Sequence, residues 1–289
     1  MRRQFKNTIL DLAVRDDSIV LIFGDVSVYL FDEFQVNYPD RFYNMGICEN
    51  TLVSVSAGLS SQGFTPFIHT IAPFLTERSF EQIKLDMCYN RFPGNIVTCG
   101  ASFDYAWDGA THHCLTDLAI LRLLPDMEVL QPGSKKELDI LLRSQYSNGK
   151  STYFRLSDHP HDIDLPVEFG QGVIIKDGGC RMTVMTAGPL LSNVYKAVND
   201  LDVNLVYFHT IKPIDKEIIA RFSQTQILVI HDAFGLYEAV CEVPDTHVRS
   251  LNIGDNFCCW YGTLDQVRNK VGLDVASIRE YVSRNLRSQ

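Results

Sequence analysis

Short apolar runs alternate with stretches of helical periodicity along most of the chain. Apolar strands that alternate with amphipathic helices are typical of α/β folds with parallel sheets. The predicted strands span residues 18–25, 65–72, 95–100, 127–134, 151–158, 173–176, 181–187, 203–208 and 226–231. The predicted helices span residues 48–61, 75–90, 115–123, 135–146, 189–200, 214–222 and 274–287.

The alternation is interrupted at residues 159–169. This segment, HPHDIDLPVEF, contains two prolines, many polar residues and no clear period, which is typical of a linker. A chain of 289 residues also suits two domains better than one. We therefore predict two three-layer α/β domains with mostly parallel sheets, covering residues 1–160 and 170–289.

Composition and charge exclude several classes of function. The chain has 46% hydrophobic residues, enough for a core, and its net charge of −9 argues against nucleic acid or an anionic membrane as the main partner. We expect no secretory leader, because Lys6, Asp11 and Arg15 interrupt the apolar N-terminal stretch, and no membrane span, because the sequence has no apolar run of about 18 residues. Its eight cysteines show no CxxC spacing, so we expect buried thiols in a reduced cytoplasm rather than a zinc site.

The first candidate for chemistry is Glu49, in the segment NMGICEN at the start of a helix of small residues. A carboxylate there would be largely buried, and burying a charge costs several kcal/mol unless a specific partner offsets it. The alternative is an ordinary acid in the first helical turn, stabilised by the helix dipole. The spacing alone leaves both interpretations open.

A second candidate is the loop DGATHHCLTD, which places His112 and His113 between a strand and a helix, where α/β proteins bind ligands. Adjacent histidines point in different directions, so they make a poor metal site. One of them could transfer protons, or both could be surface residues. A third candidate is Phe74, whose ring follows a strand end and could stack on a flat ligand or belong to the core.

Six blocks of sequence, taken together, resemble the second half of transketolases and also 1-deoxyxylulose-5-phosphate synthases. The blocks are RFYNMGICEN, GLSSQGFTPF, TIAPFLTER, DGATHHCLTDLAILRLLPDMEVLQPGS, HTIKPID and GDNFCCWYGTLDQV. They keep the family's order and spacing from about residue 2 to residue 287. The resemblance implies a pyrimidine-binding domain followed by the family's C-terminal domain.

The resemblance also implies a missing half. Enzymes of this family bind thiamine diphosphate and Mg²⁺ between the diphosphate-binding domain of one chain and the pyrimidine-binding domain of another. This sequence has no GDG-type motif with a following Asn, which in the family holds the metal and the diphosphate. We therefore expect an N-terminal transketolase-like partner subunit to hold them, in an α2β2 heterotetramer that includes a contact between two copies of this chain.

The resemblance assigns cofactor roles to five residues. Glu49 matches the glutamate that hydrogen-bonds N1′ of the aminopyrimidine, favours its imino tautomer and so promotes formation of the thiazolium ylide. Phe74 matches an aromatic residue that stacks on the pyrimidine, and Ile71 falls where many transketolases have a second ring. Arg78 resembles an active-site arginine of the deoxyxylulose synthases. Asp25 matches an acidic residue near the cofactor at the subunit interface.

For the substrate, the resemblance makes His112 a catalytic residue that lines the channel and Asp108 a contact to a substrate hydroxyl, and we expect His113 to bind the substrate as well. Two departures from sugar-phosphate transketolases concern the substrate phosphate: Gly100 stands where they have a histidine, and Asp158 where they have an arginine.

An anion in place of a cation should repel a phosphate, so we expect a donor or acceptor without a terminal phosphate. Arg155 is the nearby cation that could substitute for the lost ones.

Alternatives remain inside and outside the family. The chain also suits the beta subunit of a 2-oxo acid dehydrogenase, although DGATHH follows transketolase usage, and a deoxyxylulose-phosphate-synthase-like ligase stays open. A non-catalytic interaction subunit is the alternative of another class, and the joint presence of Glu49, Phe74 and His112 argues against it. In the second domain the segment HDAFGLYEAV has a single Gly235 where the family has two glycines, which predicts a changed interface.

Overall fold

The computed structural model describes residues 1–178 and 181–287 as two sheets with helices on both faces. The strands are β1 Ile19–Phe23, β2 Phe42–Asn44, β3 Thr65–Ile71, β4 Asn95–Cys99, β5 Met127–Leu130, β6 Ser151–Arg155, β7 Val173–Lys176, β8 Met182–Ala187, β9 Asn204–Phe208, β10 Thr210–Lys212, β11 Gln226–Ile230 and β12 His247–Leu251.

The helices follow the same order along the chain. They are α1 Arg2–Ala13, α2 Asp32–Asn37, α3 Glu49–Ser61, α4 Ala72–Thr76, α5 Phe80–Gln82, α6 Asp117–Arg122, α7 Lys135–Gln145, α8 Leu191–Val198, α9 Lys216–Arg221, α10 Leu236–Cys241, α11 Leu264–Lys270 and α12 Val275–Arg287. A π-helix, Ile83–Tyr89, continues α5 directly.

The first sheet has the order β10-β5-β6-β4-β3-β1-β2 and is parallel except for β10, which runs antiparallel to β5. Neighbouring side chains of β1 enter opposite cores: Leu21 belongs to the core that includes residues of α1 and α7, whereas Ile22 belongs to the core that includes residues of α3 and α6. This sheet with its two layers of helices is the first three-layer unit that the sequence pattern predicts.

The second sheet has the order β12-β11-β8-β9-β7 and is parallel except for β7. Helices α8 and α12 cover one face, and α9 and α10 cover the other. The predicted fold class, two α/β units with mostly parallel sheets, is therefore confirmed. One strand crosses between the units, since β10 follows β9 along the chain but pairs with β5 in the first sheet.

Gly235 lies where the second sheet's helices meet the first unit. It adopts φ +123°, and a Cβ there would come within 2.9 Å of the backbone nitrogen of Ala119 on α6. The single glycine of the HDAFGLYEAV segment thus permits close packing inside the chain itself.

The prediction of one helix over residues 75–90 is wrong. The chain forms α4, a turn at residues 77–79, then α5 and the π-helix. The side chain of Asn50 on α3 donates to the carbonyl of Arg78 at 3.1 Å, which satisfies a carbonyl in the turn. Because of this interruption, Arg78 lies in a turn rather than on the surface of a helix.

Candidate active site

The carboxyl ends of β1, β3 and β4, at one edge of the first sheet, support most of the predicted site residues. Parallel strands end at the same edge, so loops that are far apart in sequence meet there. The loop after β1 contains Asp25, the end of β3 leads through Ile71 into α4, and the loop after β4 leads to His112.

Glu49 is the first residue of α3 and is 1% exposed. One carboxylate oxygen, Oε2, accepts a hydrogen bond from Nη1 of Arg78 at 2.6 Å. The Arg78 side chain is 48% exposed, so the pair joins a fully buried acid to a base at the protein surface. The first turn of a helix also favours a negative charge, which further stabilises the buried carboxylate.

Phe74 lies beneath the guanidinium group of Arg78, whose Cζ is 5.0 Å from the ring centroid. The ring of His112 meets Phe74 edge-on, with 5.2 Å between the centroids and an interplanar angle of 73°. Glu49, Arg78, Phe74 and His112 therefore form one continuous chain of contacts. The structure brings together four of the predicted residues.

The position of the Arg78 guanidinium indicates what kind of ligand would fit. A planar group lies over an aromatic face and donates a hydrogen bond to a buried carboxylate. A flat nitrogen-containing ring could make the same two contacts if Arg78 moved aside. The residues present thus fit a heteroaromatic ring.

Asp25 lies in an unusual stretch of backbone at the rim of this site. Asp25 has φ 64° and Ser27 has φ 63°, a region that residues other than glycine rarely adopt and that clusters at functional sites. Asn44 fixes the loop from the other side: it accepts from the Asp25 amide and donates to the Asp25 carboxylate, both at 3.1 Å. The exposed carboxylate is held facing solvent next to the segment that leads to Glu49.

His112 and Asp108 belong to a short turn after β4. Thr111 Oγ1 lies 3.0 Å from Nδ1 of His112, which orients the imidazole with Nε2 directed away from Thr111. Asp108 is exposed, and Tyr261 from the second unit packs over Gly109 beside it. Packing by Tyr261 thus holds one side of the turn.

His113 lies below the loop surface, away from the place where we expect the substrate. The side chain is 7% exposed and packs edge-on against Phe103, with 4.9 Å between the ring centroids. Its two ring nitrogens have no hydrogen-bond partner among residues 1–178 and 181–287. Burial lowers the pKa of His113, which keeps the ring neutral in this apolar setting.

Arg155, the cation that could replace a lost one, is also buried and fully engaged. Arg155 is 1% exposed, and its Nε donates to Asp117 at 2.6 Å. Its remaining nitrogens donate to Ser102 and to the carbonyl of Cys114. A guanidinium group so engaged is structural, because releasing it would leave a buried acid unpaired.

Gly100 and Asp158 have neighbours that no local sequence pattern indicates. Gly100 has φ +80°, and a Cβ there would lie 2.4 Å from the ring of Tyr105, which fills that space. Asp158 forms a two-pronged ion pair with Arg2, at 2.8 and 3.1 Å. The anion is therefore neutralised, which weakens the simple repulsion expected from the sequence.

Tyr105 and Arg2 escape prediction from the sequence for identifiable reasons. Arg2 stands in a basic N-terminal segment whose pattern bears only on the question of a leader, and Tyr105 stands in a loop with no periodic signal. The glycine at position 100, immediately after a strand, is the one hint that another side chain occupies that space.

The described part of the chain has two further properties that bear on function. It contains no group of three or more His, Cys, Asp or Glu side chains arranged to hold a metal ion. None of the described helices is long and apolar enough to cross a membrane.

Comparisons with known proteins identify relatives along the whole chain. The family described as "Transketolase, pyrimidine binding domain" matches residues 1–159. A putative transketolase C-terminal section from Methanocaldococcus jannaschii is 27% identical and covers 100% of this chain and 97% of its own. An apulose-4-phosphate transketolase subunit from Phocaeicola vulgatus is 29% identical over 96% of this chain and 94% of its own.

A solved structure gives the same result at the level of the fold. A protein described as a split gene transketolase, an inactive beta4 tetramer, has a TM-score of 0.84 and 26% sequence identity. The alignment covers 98% of this chain and 96% of that chain.

Proposed function

The chain belongs to the family of transketolase pyrimidine-binding domains, and from this premise we propose that it is one subunit of a split, thiamine-diphosphate-dependent enzyme that transfers a ketol or acyl unit. The observation that carries the proposal is the buried carboxylate of Glu49, paired at 2.6 Å with an arginine that lies over the ring of Phe74. Glu49 is buried, whereas Arg78, with which it pairs, lies at the protein surface. Arg78 can therefore move away, and a ligand can take its place beside the Glu49 carboxylate.

In this proposal Glu49 shares a proton with N1′ of the aminopyrimidine and holds it by a charge-assisted hydrogen bond. Phe74 and Ile71 would form the wall of the pyrimidine site, and Asp25 would stand at its rim. Arg78 must release Glu49 before the pyrimidine can take its place. When bound, thiamine diphosphate supplies the carbon nucleophile that carries the transferred unit.

The substrate would approach along the loop after β4. His112 is oriented by Thr111 and contacts Phe74 edge-on, so it can exchange protons with a group placed above that ring. Asp108 is exposed in the same turn and can accept a hydrogen bond from a substrate hydroxyl. His113 and Arg155 take no part in this proposal, because both are buried away from the loop surface.

The metal and the diphosphate belong to a partner chain in this proposal. Two comparisons support a partner: the apulose-4-phosphate transketolase relative is itself named as a subunit, and the similar structure is a split gene transketolase that is inactive as a beta4 tetramer. We propose an assembly of two copies of each subunit, with the thiamine diphosphate between unlike chains.

Calorimetric titration with thiamine diphosphate and Mg²⁺ tests this function. The isolated chain should bind the cofactor only weakly, because it offers a pyrimidine site without a diphosphate anchor, whereas the mixture with its partner should bind in the micromolar range. Micromolar binding to the isolated chain would contradict the divided site. A stable complex that binds no cofactor would identify a non-catalytic interaction subunit instead.

A further inference from the structure

A cavity at the amino ends of β5 and β6 carries a further inference. Its volume is about 310 Å³, at the lower end of the range for small-molecule sites. Its walls come from the end of the π-helix, the residues that follow it and the turns before β5 and β6. Parallel strands end at the opposite edge of the sheet, so this cavity is separate from the candidate active site. A π-helix is also rare and is frequently found at functional sites.

A buried hydroxyl group lines this cavity without a partner. Ser151, the first residue of β6, is 3% exposed. Its Oγ forms no hydrogen bond with any of residues 1–178 and 181–287. Buried hydroxyl groups in proteins normally have a hydrogen-bond partner, so a water or a ligand in the cavity is the natural partner of this one.

The rim of the cavity carries one ion pair and one unpaired cation. Arg91 and Asp126 lie at the rim with 3.9 Å between Nε and Oδ2, so their charges offset each other. Lys150 belongs to the same lining and is exposed. Its ammonium group forms no ion pair within the part of the chain that the structure describes. The rim therefore has an excess of positive charge.

Lys212 on β10 adds a second cation near the cavity. Its Nζ donates to the carbonyl of Leu124, and its charge acts on Cys88 and Asp126, which both line the cavity. Burial lowers the pKa of Lys212. Burial also raises the pKa of the Cys88 thiol to about 11, so this thiol stays neutral. An anion bound in the cavity would favour the charged form of Lys212.

Other charged groups in this region already have partners. Arg122 and Glu242 pair with each other at 2.6 Å. The carboxylate of Glu128 on β5 accepts hydrogen bonds from Asn148 and Thr152, at 2.8 and 3.0 Å. These groups do not offset the two lysines.

We propose that this cavity binds the phosphate group of a small metabolite, with Lys150 and the Ser151 hydroxyl as its contacts and Lys212 as a second cation nearby. A phosphate monoester carries a charge of about −1.5 to −2 at pH 7 and has three acceptor oxygens, which match two cations and a hydroxyl donor. The apolar side chains of Met87 and Pro93, also in the lining, suit the carbon part of such a molecule. This site does not depend on the proposed function, so each can fail without the other.

Methyl NMR of the full chain, with ¹³C-labelled methionine methyl groups, tests the site. Met87 lines the cavity and is 1% exposed, so its methyl resonance reports on the cavity rather than on the open surface. Inorganic phosphate and glycerol 3-phosphate should each shift this resonance in a saturable way, and Met87→Leu assigns it. Acetate at the same ionic strength should bind more weakly than phosphate, since it carries a single charge. Equal binding of acetate would contradict a phosphate site.

Substitutions in the cavity then identify the contacts. Lys150→Gln and Ser151→Ala should each weaken phosphate binding about threefold or more, the scale of a partly exposed charged contact. Asp126→Asn should tighten binding, because it removes the acid that repels the phosphate and offsets Arg91. Lys196→Gln, at an exposed lysine on α8, is the control and should leave binding unchanged.

Thermal unfolding checks that each variant folds. The absence of a saturable shift of the Met87 resonance would overturn the proposal. So would an affinity for phosphate that is the same in Lys150→Gln, Ser151→Ala and the unmodified chain.

Discussion

The carboxyl ends of the strands form an edge in each of the two sheets, and the two edges differ in their exposure to solvent. At the first edge, the loops after β1, β3 and β4 hold exposed or half-buried polar groups around a buried Glu49. At the second edge, the residues that follow β9 and β11, His209 and Asp232, are buried against the first unit.

Contacts across the boundary explain why the second edge is closed. Asp232 accepts a hydrogen bond from Ser102 at 2.7 Å, and His231 lies 2.9 Å from the side chain of Gln131. The amide of Gln131 also donates to the carbonyl of His209 at 2.9 Å. The same topological position therefore forms a candidate site in one sheet and a docking surface in the other, depending on what covers it.

The largest expected effect is on the free energy of unfolding, after a substitution at the buried carboxyl edge of the second sheet. Asp232→Ala removes a buried acid that pairs with Ser102 and lies 3.6 Å from Arg268, and breaking such a buried pair costs about 3–5 kcal/mol. Asp25→Ala, at the exposed edge, should cost less than about 1 kcal/mol. Urea unfolding of both variants measures the difference, and equal losses would remove the contrast between the edges.

The next effect concerns His69, buried beneath the open edge. Burial lowers the pKa of His69 to about 4 from its ordinary value of 6.5, because the charged ring would lose its hydration. The unfolded chain then binds more protons than the folded chain between these values, so stability should fall as the pH drops from about 6.5 to about 4, by roughly 3 kcal/mol.

Urea unfolding at a series of pH values measures the His69 contribution. His69→Gln should show a shallower decline over this window, since its amide does not titrate. A variant that declines as steeply as the unmodified chain would assign the pH dependence to other groups.

Two buried glutamates allow the functional contrast to be tested directly. Glu49→Gln should keep the fold and lower turnover of the complete enzyme by about two or more orders of magnitude, the scale of a lost acid–base step. Glu137 is equally buried but bonds Tyr207 across the domain boundary at 2.6 Å. Glu137→Gln should therefore lower stability while turnover is retained.

Exchange of the thiazolium C2 proton, measured by NMR, isolates the step assigned to Glu49. Unmodified exchange rates in Glu49→Gln would remove Glu49 from the mechanism. A loss of turnover in Glu137→Gln at full stability would contradict the structural role of the closed edge.

The smallest expected effect concerns Arg78, whose ion pair with Glu49 must break when the pyrimidine binds. Arg78→Ala should tighten binding of thiamine diphosphate to the complete enzyme by up to about tenfold, because hydrogen bonds to charged groups contribute about 1.5–3 kcal/mol before solvent screening reduces them. Arg91→Ala, at an 83% exposed arginine outside this site, is the control. Weaker binding in Arg78→Ala would mean that the arginine holds the cofactor.

Much of the fold can be predicted from the periodicity of the sequence, because buried parallel strands consist of continuous apolar runs. Strand β3 is predicted to within one residue and β7 with its observed limits. Strands β2, β10 and β12 are not predicted. Each is short or partly exposed at an edge of its sheet, so its sequence lacks a continuous apolar run.

The site is only partly predictable for a similar reason. The family resemblance points to Glu49, Phe74, Arg78 and His112, which lie in contact. It cannot show that Arg155 pairs with Asp117, nor that Arg2 pairs with Asp158, which is 156 positions away in the sequence. Such pairings depend on which loops meet at a sheet edge, and no local pattern records that.

Strand β10 has a consequence for anyone who wishes to divide the protein. Strand β10 pairs with β5 at the edge of the first sheet. Cutting the chain within residues 159–169 would therefore separate β10 from that sheet and leave unpaired amide and carbonyl groups along β5. A bare flank of this kind recruits strands from other molecules. A first half expressed alone should therefore self-associate, and grafting the two halves onto other proteins requires residues 210–212 to travel with the first.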